Sequence, residues 1–264
     1  MVALTLATKR PGSLAQNRRT RLNPLFRIAR ATALLAVTLA LAVLGLLAHP
    51  QPLFAHSVAD GQLELWSDRH FDAEAGRRIL ADIESRISRS PLDRRDGVHR
   101  IFIVNEPWRA RLLFLWNYGV GGVNYYPMTR NVVIRRSDIA AGRLLRHSGE
   151  FVEAPRTLAY YGAHEIAHSL TGEAVGPIRY HRLPAWVREG LADYIALPDE
   201  HDLEALQAKL AAGDRALDPQ KSGLYARYRL MVMLALEKQG WTLDRLLDAP
   251  PSRAEAEQQL FGAF

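Results

Sequence analysis

Residues 155–195 read PRTLAYYGAHEIAHSLTGEAVGPIRYHRLPAWVREGLADYI, a string best explained as two helices joined by a connection rich in helix breakers. Pro155 suits the first position of a helix, and Gly172 is placed to end it after Leu158, Tyr161, Ile166 and Leu170 have recurred on its faces. Gly172, Gly176, Pro177 and Pro184 then read as a loop, and Pro184 starts a second helix through about residue 195. The positions flanking the centre of the first helix are uncharged or apolar, so that helix is expected to lie buried beneath a cleft.

Outward from this pair, further helices are expected over 202–212, over 222–239 with Gly240 as the stop, and over 243–247. Toward the N-terminus, 63–66 (LELW) alternates like a strand, and 72–88 places Ala75, Ile79, Leu80, Ile83 and Ile87 at helical spacing. Residues 100–104 (RIFIV) form a second strand candidate and 107–116 a short helix, after which Gly119, Gly121 and Gly122 interrupt the pattern. A hairpin follows, with arms at 122–126 and 131–136 around a turn at 127–130. Strands first and helices second predict an α+β fold.

Composition narrows the chemistry. The chain has 264 residues, 48% of them hydrophobic and 23% charged, the profile of a folded protein. It contains no cysteine, which removes disulfides, thiolate metal sites and thiol nucleophiles, and leaves histidine, carboxylates and hydroxyls. The net charge of +6 does not indicate nucleic-acid binding. Lys9, Arg10, Arg18, Arg19, Arg21, Arg27 and Arg30 all precede the first acidic residue, Asp60, and the 27 basic residues that remain face 28 acidic ones.

The basic tail, 1–30, leads into residues 31–48, an uncharged run of Ala, Leu, Val, Gly and Thr. As a helix it would cover roughly 27 Å, close to the hydrocarbon thickness of a bilayer. With no Lys or Arg between Arg30 and Arg69, the tail is expected to stay in the cytoplasm while the remainder, a domain over 56–264, lies outside it. A cleaved signal with a cut after Ala55 is the competing reading, and Arg18-Arg19 gives a faint twin-arginine pattern.

The chemistry concentrates in His164-Glu165-Ile166-Ala167-His168, an HExxH motif. Residues four apart on a helix share a face, so the two imidazoles can reach one ion, and neutral imidazole suits Zn²⁺. Glu165 stands beside them to accept a proton from a metal-bound water. Glu189, after 20 intervening residues, can complete a His, His, Glu set with one zinc per chain and a fourth position open to water. Asp193, one turn later, would hydrogen-bond the free N–H of a liganding histidine.

His164, Glu165, His168 and Glu189, the last within W-V-R-E-G-L-A-D-Y, resemble the gluzincin metallopeptidases over about residues 120–240. The resemblance implies a zincin-like fold, with a small N-terminal sheet lobe and a mostly helical C-terminal lobe after one transmembrane helix. It also implies hydrolysis of peptide bonds by a zinc-activated water with Glu165 as general base, and a nearby tyrosine or histidine that steadies the oxyanion. Tyr225 is the residue expected in that role, with Tyr228 in reserve. Metzincins are excluded because Thr171 and Ala174 stand where their glycine and third histidine belong. Arg156 and Glu173 bracket only 16 residues, too few for an intramembrane motif helix.

The expected partners are therefore a peptide or protein substrate and a membrane. The strand at 131–136 is a candidate cleft edge that pairs with an extended substrate, with Arg135 and Arg136 either favouring acidic positions or simply blunting the edge. Two rivals stand beside this reading. One is a tethered binding module whose zinc site is structural and closed by a fourth ligand such as His181; the other is a zinc hydrolase of a non-peptide amide of the cell envelope.

Overall fold

The computed structural model describes residues 24–92, 97–200, 202–218, 220 and 223–262. The lead 1–23, with its basic cluster and Arg18-Arg19, lies outside the described residues. The chain divides into two units, Met1–Val43 and Leu44–Phe264.

In the first unit the apolar run belongs to helix α1 (Pro24–Ala48), which is longer than expected because Pro24 and the arginines that follow are helical as well. Its leucines from Leu25 to Leu44, with Val37, are exposed, and its span is long and apolar enough to cross a membrane, a test that a signal sequence also passes. The expected domain start at residue 56 falls inside the second unit, in which Leu47 and Phe54 are already buried.

The second unit is mixed α/β. Strands β1 (His56–Asp60), β2 (Leu63–Ser67), β3 (His99–Val104), β4 (Gly122–Asn124) and β5 (Val132–Arg135) form one sheet in the order β1-β2-β3-β5-β4. β2, β3 and β5 run parallel, and β1 and β4 lie antiparallel on the two edges. The inner strands β3 and β5 are buried on nearly every residue, which explains why 101–104 reads as an unbroken apolar run, whereas β2 alternates. A second ribbon, β6 (Ser137–Asp138) with β7 (Arg143–Leu144), follows.

Helix α2 (Ala73–Ile87) is capped by Asp72, whose side chain accepts from the Ala75 N–H, and its apolar face meets the sheet and the motif helix. Helix α3 (Pro107–Phe114) gives way to a 3-10 turn at Leu115–Asn117. From residue 158 the chain is helical: α4 (Leu158–Val175), α5 (Pro177–Arg182), α6 (Ala185–Ala196), α7 (Leu203–Ala211), α8 (Leu224–Met233, continued by a π turn Leu234–Lys238), α9 (Leu243–Asp248) and α10 (Arg253–Phe261).

Several boundaries depart from expectation. Helix α4 begins at Leu158 because the Thr157 hydroxyl caps it, so Pro155 stands outside rather than at the first helical position. It also runs past Gly172, which is an interior residue. The Tyr126 ring packs where a Gly172 Cβ would sit, 2.3 Å from its nearest atom, and the Tyr126 hydroxyl donates to the Gly172 carbonyl at 2.8 Å. That glycine serves close packing, and Gly176 caps the helix instead. The expected loop before α6 contains α5, started by Pro177.

The strand at 131–136 is not an edge: β4 covers it and forms the edge of the sheet on that side. Burial of Val132, Val133 and Ile134 explains the inward position, since a β-branched run gains most from neighbours on both sides. The neighbouring Arg135 is half-buried, so edge blunting does not account for it.

Candidate metal centre

Helix α4 is buried on almost every face, under α2, α6 and the end of the sheet. This burial brings His164 and His168 to the floor of a cleft whose walls include β4, Tyr180 and Tyr225. α6 returns alongside α4 and delivers Glu189 to the histidines. Glu189 Oε2 lies 3.5 Å from His164 Nε2 and 3.6 Å from His168 Nε2. Zinc bonds of about 2.1 Å at tetrahedral angles separate ligand atoms by roughly 3.4 Å, so the spacing fits an ion held by these three atoms. The three residues form a group that could hold a metal ion, with all ligand atoms within 4.8 Å of one another.

Behind the histidines, Asp193 on α6 is buried, accepts a hydrogen bond from the Tyr160 hydroxyl at 2.6 Å, and lies 3.4 Å from His164 Nδ1. Asp193 therefore stands beside His164 at ion-pair distance, without the hydrogen bond expected there. Tyr160, one helical turn before His164, completes the arrangement and was not anticipated, although its i, i+4 relation to His164 was a readable signal. His164 Nδ1 and His168 Nδ1 are both buried without a hydrogen-bond partner among the described residues.

Charge is distributed unevenly over the donors. Burial opposes protonation of both imidazoles, but the Asp193 and Glu189 carboxylates overcome it at His164 and raise its pKa to about 10. At His168 burial prevails and lowers the pKa to about 4, leaving a neutral ring suited to a metal. Burial would raise Glu189 and Asp193; contact with the histidines instead holds both below the usual carboxylate range, and the Tyr160 hydroxyl and the buried Arg229 also act on Asp193.

Glu165 points to the sheet edge. A Cβ on Gly122 would lie 3.0 Å from its Cγ and Oε1, so β4 can approach the carboxyl this closely only because Gly122 has no side chain. Burial raises Glu165 to about 7, helped by Glu189 and opposed by His164 and by the Asn124 backbone N–H. The Asn124 side chain fixes the end of that strand, donating to the Ser169 hydroxyl at 2.9 Å and to the Asn131 carbonyl at 3.1 Å.

The two candidate tyrosines separate. Tyr225 on α8 lines the cleft with its ring centroid 5.9 Å from that of His164, and burial with the nearby carboxylates raises its pKa to about 12. Tyr228 is buried away from the cleft, with the Arg253 guanidinium 5.4 Å from its ring centre. His181 is exposed on α5 and lies outside the three-residue group. No protein-family model matches the chain, and no curated protein matches it.

Proposed function

We propose that the chain is a zinc-dependent metallopeptidase of gluzincin type with a zincin-like catalytic domain, tethered to the membrane by α1 with that domain outside the cytoplasm. The observation that carries the reading is the spacing of His164 Nε2, His168 Nε2 and Glu189 Oε2, which suits one tetrahedral ion with a position left for water. His181 stands away from the group, which favours an open site over one closed by a fourth side chain. An ion bound there would supply Lewis-acid chemistry, lowering the pKa of a water and polarising a carbonyl.

The remaining work falls to the chain's own groups. Glu165, with a pKa of about 7, can take a proton from the attacking water and return it to the leaving amine near neutral pH. Asp193 holds the His164 ring through its Nδ1 side and is itself steadied by Tyr160. Tyr225 stays protonated at neutral pH, so its hydroxyl can donate to the oxyanion that develops on the carbonyl. The outer side of β4 offers backbone donors and acceptors to an extended peptide beside Glu165.

The test is a peptide-library digest by the full chain in detergent, read by mass spectrometry. New termini should form with wild type, disappear with Glu165→Gln or a chelator, and return on adding zinc. Cleavage that persists in Glu165→Gln, or that never occurs with zinc present, overturns the proposal.

A further inference from the structure

Two guanidinium groups in the cleft have no role in the chemistry above. Arg156, just before α4, has its guanidinium 5.9 Å from the Tyr160 ring centre, and Arg188, the neighbour of Glu189, lies 5.7 Å from that of Tyr180. Both line the cleft. Among the described residues neither forms an ion pair or a side-chain hydrogen bond, and the Nε of Arg188 is buried with no partner. Elsewhere several arginines are paired, as in Arg69 with Glu106, Arg86 with Asp82, Arg100 with Glu64 and Arg227 with Glu257, although Arg135 and Arg229 also bury guanidinium nitrogens without a hydrogen-bond partner among the described residues. A half-buried guanidinium without an anion gives up hydration for nothing in return, and a planar fork of donors is complementary to a carboxylate.

Their placement relative to the histidines is specific. Tyr160 stands one turn before His164, and the Tyr180 ring lies 6.4 Å from that of His168, one turn after it. Arg156 therefore lies toward the Tyr160 end of the histidine pair and Arg188 toward the His168 end, two positions eight residue steps apart on α4, or about 12 Å. An extended peptide covers that length in about four residues. Glu165, Glu189 and Asp193 also face the cleft, but each is engaged with the histidines, Tyr160 or the Asn124 N–H, and acts on the arginines only through space.

We propose that the cleft selects acidic peptides, with Arg156 and Arg188 as specificity residues that each take a substrate carboxylate, one on either side of the bond above His164 and His168. The inference rests on reading this cleft as a peptidase active site.

The test uses the full chain in detergent carrying Glu165→Gln, so that bound peptide is not turned over. It is titrated with a labelled alanine-based hexapeptide bearing Glu at its second and fifth positions, and with the same peptide bearing Gln. The Glu peptide should bind at least about tenfold more tightly, as expected for charge-assisted pairs. Adding Arg156→Gln or Arg188→Gln should each remove most of that preference, and Arg156→Lys should retain part of it, with unchanged thermal melting as the control for folding. Equal binding of the two peptides, including no binding of either, overturns the proposal, as does a preference that survives both arginine substitutions. Equal cleavage of both peptides by wild type would remove the acidic selection and leave the peptidase reading intact. A Glu preference in binding with no cleavage by wild type would do the reverse.

Discussion

Glu165 and His164 adjoin on α4, and opposite effects set their protonation. Burial raises the carboxyl, while two carboxylates raise the imidazole in spite of burial. Glu165→Gln keeps the shape and removes the base, so turnover should fall by about 10²–10⁴ while bound zinc is unchanged. His164→Ala or His168→Ala should cost both. The raised pKa of His164 has its own consequence, because an imidazole must lose its proton to ligate a metal. At pH 8 an ordinary histidine is already neutral, but His164, with a pKa of about 10, still carries its proton. Zinc uptake at pH 8 should therefore release more protons per ion from wild type than from Asp193→Asn, which removes a carboxylate that holds the proton on His164, read by calorimetry in buffers of different ionisation heat. Equal release from the two would contradict the coupling of His164 to Asp193.

At the scale of elements, the edge strand and α4 meet through missing side chains. Gly122→Ala would press a methyl onto the Glu165 carboxyl, and turnover should drop about tenfold or more, with zinc content and melting temperature nearly unchanged. Gly172→Ala would force the Tyr126 ring off α4, so there the loss should appear in stability, at about 1–3 kcal/mol in a denaturant titration. These same contacts mark the limit of what the sequence conveys. Local patterns disclosed α2, α4, α6 and the ligand trio, because helical period, caps and the HExxH spacing are all short-range. The pairing of β2, β3 and β5 joins segments far apart in the chain, so β4 rather than β5 emerged as the edge only in the folded sheet. Gly172 read as a stop because its partner, Tyr126, is 46 residues away. Two misses had signals: Asp60-Gly61, with Gly61 at φ +56°, marks the β1–β2 hairpin, and Ser252 with Glu255 forms the capping box that starts α10.

For the whole molecule, the question is how the N-terminal segment relates to the domain it precedes. Within the second unit, the Asn131 side chain donates to the Leu47 and Ala48 carbonyls at the end of α1, and the ring of Phe54 lies 4.9 Å from that of Phe102. A signal cut after Ala55 would remove these contacts. Phe54→Ala in the full chain should cost about 3 kcal/mol of stability, measured by denaturant unfolding. An uncleaved anchor should also keep the chain with membranes after an alkaline wash, and the chain should begin upstream of residue 48. A processed chain starting at His56 would contradict retention while leaving the catalytic proposal standing.

A three-ligand zinc site underlies every step proposed for this cleft, and zinc content reads it out. The full chain is purified in detergent, reconstituted with zinc and dialysed, with wild type beside Glu189→Ala and Glu165→Gln. About one zinc per chain is expected in wild type and Glu165→Gln, and far less in Glu189→Ala. Failure of wild type to retain stoichiometric zinc, or retention by Glu189→Ala equal to that of wild type, would contradict the three-ligand site.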